Sequence, residues 1–112
     1  MVSISSRKAT HALRILATEL GFGLADFDLR SSRVNGQTES VTLHADHLYV
    51  QVSMQENPHC KGGVLIRSCK SRKDYGGTNN NFVKYDELGF AFNLAKKCRK
   101  VMETKGEGIA FI

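Results

Sequence analysis

The sequence predicts an α+β protein of two layers, and three observations carry that expectation. Apolar residues recur at helical spacing near both ends of the chain. The middle alternates apolar and polar residues with the period of two that a half-buried strand requires. Turn-forming residues separate the alternating runs. The expected order is an N-terminal helix, a four-stranded antiparallel meander and a C-terminal helix, with both helices on one sheet face.

The first helix follows Ser5 or Ser6, whose hydroxyl can accept from a free backbone N–H one turn in. Ala9, Ala12, Leu13, Leu16, Ala17 and Leu20 then share one face, and Arg7, His11, Arg14 and Thr18 take the solvent side. Gly21 ends the helix in the left-handed conformation that glycine adopts at little cost.

A hairpin comes next, in "FDLRSSRVNGQTESVTL". A two-residue turn at Asn35-Gly36 would set Leu43 opposite Asp28 and mix the faces. A three-residue loop, Val34-Asn35-Gly36, sets Phe27 opposite Leu43 and Leu29 opposite Val41, and is the expected register. "LYVQVSM" places Leu48, Val50, Val52 and Met54 on one face and Tyr49, Gln51 and Ser53 on the other. The "HADH" turn leads into it, with Leu43 expected opposite Leu48. The fourth strand, "GVLIRSCK", turns Val64 and Ile66 to the core. The uncovered face is then expected to carry Asp28, Arg30, Thr42, His44, Tyr49, Gln51, Ser53 and Arg67.

The last helix is expected to start near Asp86, a capping residue with Glu87 beside it at the positive end of the dipole. Leu88, Ala91, Phe92, Ala95, Cys98 and Met102 form its expected apolar stripe. Asn93, Lys96, Lys97 and Lys100 form the polar face. The closing "GIAFI" reads as a short strand or an apolar tail.

Bulk properties bound the function. The chain has 112 residues, 41% hydrophobic and 24% charged, which suits one domain (residues 1–112) with one modest core. No apolar run approaches the ~18 residues that span a bilayer, and "MVSISSRKAT" lacks the apolar centre of a signal peptide. Cys60, Cys69 and Cys98 are an odd set without paired spacing. Together these features point to free thiols in the cytoplasm. The net charge of +5 is uneven. Residues 1–56 hold five Lys/Arg against six Asp/Glu, and residues 57–112 hold eleven against five. Concentrated positive charge attracts nucleic acid or an acidic protein surface.

The stretch "KSRKDYGGTNNN" carries the chemistry of interest. Arg67, Lys70, Arg72 and Lys73 suit phosphates, Tyr75 suits stacking on a base, and Asn79 of the asparagine triplet suits polar contacts to either. Its glycines permit close approach of a ligand, although a long turn would use the same residues for positive φ angles. A connection of this length exceeds what a hairpin needs. The spacing is not that of a P-loop. Lys96, Lys97 and Lys100, with Arg99, add a second basic cluster on the last helix, of interest where it adjoins the loop in space.

Other chemistries find less support. His44, Asp46 and His47 lie at one end of the third strand and His59 and Cys60 at the other, farther apart than one ligand sphere, so no metal is expected. No cofactor motif is present. Cys98 falls on the buried stripe, and Cys69 sits among cations that would lower its pKa but has no evident histidine partner. Asp26 and Asp28 flank Phe27 as the closest carboxylate pair, a weak basis for acid/base catalysis. The leading expectation is a non-catalytic nucleic-acid-binding protein. The alternative is a protein-binding inhibitor or adaptor that docks its basic loop on an acidic partner or self-associates through the open sheet face, a form common among phage and mobile-element accessory proteins.

Overall fold

The computed structural model describes residues 3–77 and 79–105. The segment "GIAFI" lies outside the described residues. Helix α1 (Ser6–Glu19) starts where the Ser5 hydroxyl accepts from the Lys8 N–H at 3.2 Å. It stops in a Schellman motif, with Phe22 N–H donating to the Ala17 carbonyl and Gly21 N–H to that of Thr18. Gly21 supplies the positive φ of 82° that this ending requires.

Five strands follow: β1 (Phe27–Val34), β2 (Gln37–Ala45), β3 (Leu48–Ser53), β4 (Gly63–Arg67) and β5 (Asn81–Lys84). They form one antiparallel sheet in sequence order. The sequence predicted four strands. The fifth is a four-residue edge strand between the long loop and a 3-10 helix at Tyr85–Gly89, too short to show periodicity by itself.

The first hairpin also corrects the expected register. Asn35 and Gly36, with φ of 52° and 79°, form the two-residue turn, and Val34 pairs with Gln37. A bulge then leaves Glu39 without a partner between Arg33↔Thr38 and Ser32↔Ser40. That extra residue restores the faces: Leu29 pairs with Leu43, Phe27 with Ala45 and Ser31 with Val41. At the next turn, Leu43 pairs with Val50 and Ala45 with Leu48, a shift of two residues that keeps each side chain on its expected face.

Helix α2 (Ala91–Met102) begins later than predicted, because Asp86 and Glu87 lie in the 3-10 helix and Phe90 takes the cap position. Its buried side chains are Leu94, Ala95, Cys98 and Val101. Phe92, expected on that stripe, is 58% exposed instead. The core joins Ala9, Leu13, Leu16 and Ala17 of α1 and the α2 stripe to Val41, Leu43, Val50, Val52, Val64 and Ile66 of the sheet. Both helices therefore cover the same sheet face, as the alternation predicted. Among the described residues no helix is long and apolar enough to cross a membrane.

Candidate nucleic-acid interface on the helix-free sheet face

Pairing in register arranges the helix-free face in rows. One row holds Asp28, His44, Tyr49 and Arg67; the next holds Arg30, Thr42, Gln51, Leu65 and Phe82. Tyr49 donates to Gln51 and Gln51 to Ser53, a polar line running down β3.

The segment between β4 and β5 has a destination that its sequence does not disclose. It joins neighbouring strands, yet it crosses back over the sheet as far as the start of β1. There the Arg72 guanidinium donates to the Ala25 carbonyl, and Arg72 N–H donates to Asp46 in the β2–β3 turn at 3.1 Å. Asp74 holds the shape. Its carboxylate accepts from the N–H groups of Lys70, Gly76 and Gly77 at 2.9, 3.1 and 3.2 Å. Those amides hold the Asp74 carboxyl below its ordinary range, because they satisfy only the charged form fully.

Beneath this lid lies His44, 1% exposed although it sits on the open face. Its Nε2 is 3.2 Å from the Ser71 carbonyl, which requires the Nε2–H tautomer. Tyr49 and Tyr75 meet its ring edge-on, with centroids 5.2 and 5.1 Å away. Burial lowers its pKa by disfavouring the imidazolium. Cys69 Sγ stands 3.6 Å from the same nitrogen, a histidine neighbour that sequence spacing did not reveal. The pair is packing rather than a nucleophile and its base. Cys69 is fully buried, donates to the Ala45 carbonyl and has its thiol pushed up to about 11 by burial, the reverse of the lowering expected from nearby cations.

The loop's glycines serve the same fold. At Gly77, with φ of 64°, a Cβ would stand 2.8 Å from both the Ser68 carbonyl oxygen and Arg67 Cδ. The close approach is to the protein's own strand end.

The predicted site residues divide into two groups. Arg67 stacks its guanidinium over Tyr49 at 4.3 Å and donates to the Tyr75 carbonyl, while Tyr75 remains 51% exposed. Lys70 and Lys73 are exposed beside them, Arg72 is tied to Ala25, and Asn79 lies at the approach to β5. These residues belong to one end of the open face. Lys96, Lys97 and Lys100 do not join them, since α2 packs on the opposite sheet face. Lys97 pairs with Glu87, and Lys96 lies 4.7 Å from the centre of the Phe92 ring. The charge at the loop end is also partly compensated: Arg30, Arg67, Lys70, Arg72 and Lys73 meet Asp28, Asp46 and Asp74, an excess of two.

Three contributors were missed as site residues. Arg30 donates to the Tyr75 hydroxyl at 2.6 Å, Phe82 is 40% exposed, and Lys84 follows it on the same side of β5. Strand alternation did place Arg30 on this face. Phe82 and Lys84 needed β5 to be recognised.

Two other constellations resolve differently. Asp26 precedes β1 and accepts from Gly23 N–H, whereas Asp28 lies 4.0 Å from Arg30, so the carboxylates have separate partners. Among the described residues no group of three or more His, Cys, Asp or Glu is placed to hold a metal ion. Comparison with protein-family models, curated proteins and solved structures returns no match.

Proposed function

We propose that the helix-free sheet face binds single-stranded nucleic acid without catalysing a reaction. One observation carries the reading: rings and cations are interleaved across this face, Arg30 with Tyr75 and Arg67 with Tyr49, and Phe82 and Lys84 follow on the same side of β5. The exposed rings, Tyr75 and Phe82, can stack on bases of any sequence, with the half-buried Tyr49 holding Arg67 between them, and adjacent guanidinium and ammonium groups take the phosphates. Lys70 and Lys73 extend the path along the loop. The α2 cations form no part of this interface, because the sheet stands between.

Anisotropy of a labelled single-stranded oligonucleotide over a salt series tests the proposal. Affinity falls steeply as salt rises, and Arg67→Gln reduces the slope of log affinity against log salt by about 0.7, one phosphate contact on a single strand. Phe82→Ala, at a half-exposed edge position, weakens binding by about 1–3 kcal/mol. Absence of binding at low salt, or a flat salt response, removes the reading.

A second reading rests on Phe90 and Phe92, 62% and 58% exposed at the start of α2. Rings of this kind on the helix layer favour a protein contact there. Sedimentation and pull-down with Phe90→Ser and Phe92→Ser variants separate it from the first, since these changes leave oligonucleotide binding intact.

A further inference from the structure

We infer a phosphate-binding groove between α1 and the β1 edge, separate from the open face. It has a volume of about 360 Å3 and is lined by Ser6, Arg7, Thr10, His11, Arg14 and Ser31. Arg7, His11 and Arg14 recur at the spacing that aligns side chains along one flank of a helix. Ser31, exposed on β1, completes the lining from the sheet side. The lining is two guanidinium groups, an imidazole and three hydroxyls, with no carboxylate.

The arginine inventory sets this groove apart from the open face, whose arginines each already give one bond to the protein. The chain has seven arginines. Five are engaged by the fold: Arg30 by the Tyr75 hydroxyl, Arg33 by the Gly36 carbonyl, Arg67 by that of Tyr75, Arg72 by Ala25 and Arg99 by Glu19. Among the described residues the side chains of Arg7 and Arg14 have no such acceptor, and they line the same groove. Guanidinium forks flanked by hydroxyl donors match the several oxygens of a phosphate group. The ligand class is therefore a phosphate ester or anhydride, either free or within a nucleic-acid backbone. The groove stands independently of the open-face proposal.

The test uses inorganic pyrophosphate at low ionic strength, followed by backbone amide shifts of the whole chain. Saturable shifts are expected at Ser6, Arg7, Thr10, His11, Arg14 and Ser31. Arg7→Gln with Arg14→Gln lowers the affinity roughly tenfold or more, because two charge-assisted bonds are lost. Lys61→Gln, exposed and in neither site, leaves it unchanged. Arg7 and Arg14 are exposed, and a thermal melt confirms that each variant is folded. Lack of saturation, unchanged affinity in the double variant, or shifts spread over every basic surface overturns the inference. With the groove established, competition by a single-stranded oligonucleotide assigns the phosphate to a nucleic-acid backbone, and lack of competition assigns it to a small ligand.

Discussion

Asp74 and His44 make the lid over the open face sensitive to acid, each by a separate route. The Asp74 carboxyl titrates below its ordinary value of 3.8 because three backbone amides favour the carboxylate. Its stabilisation is present above that value and is lost as pH falls through the lowered one. His44 titrates below its ordinary value of 6.5 because burial disfavours the imidazolium. Between the two values the unfolded chain binds a proton that the folded one does not, so stability falls as pH drops from about 6.5. The lid is expected to loosen in two stages on acidification, His44 first and Asp74 second. Amide exchange at Lys70, Gly76 and Gly77 reads this directly. Asp74→Asn speeds exchange at neutral pH and removes the lower stage, leaving the upper one. An unchanged two-stage profile in that variant rules out the assignment.

Among the elements, α2 shows how a one-position rotation changes a stripe. The sequence placed Phe92 inside and overlooked Leu94 and Val101. The spacing of Leu94, Ala95, Cys98 and Val101 is equally helical, and it turns Phe92 out to meet Lys96. Leu94→Ala opens a cavity in a fully packed core and is expected to cost about 2–5 kcal/mol. Phe92→Ala removes an exposed ring and is expected to stay within about 0.5 kcal/mol. Urea unfolding of the two variants checks the pair, and a larger loss at Phe92 would restore the original stripe. The first hairpin carries a similar lesson. Turn chemistry and apolar pairing both pointed to a three-residue loop; the chain instead keeps a two-residue turn and recovers the apolar pairing through the bulge at Glu39, an option that neither rule considers alone.

At the scale of the whole molecule, the sheet partitions the charge. Sequence arithmetic counts the cations of residues 57–112 together, yet the lysines of α2 and those of the loop stand on opposite sides of the core. At physiological salt, charges are screened beyond about 8 Å, so the two groups act separately. Lys96→Gln with Lys100→Gln is expected to change oligonucleotide affinity by less than about twofold under those conditions. A loss comparable with that of Arg67→Gln would mean that the nucleic acid reaches around to the helix layer, contrary to the open-face proposal.

The fold class, the helix faces of α1, the first four strands and the β1–β3 residues of the helix-free face were legible in the sequence. They depend on period and turn chemistry, which act over a few residues. Strand β5 escaped because four residues at an edge display almost no period. The site was legible in composition but not in arrangement: the loop was visible, while its path over His44 and its ties to Ala25 and Asp46 were not. Those contacts join residues that are more than twenty positions apart, and only packing of the sheet brings them together. Local rules chose the elements; long-range closure decided which charges became neighbours.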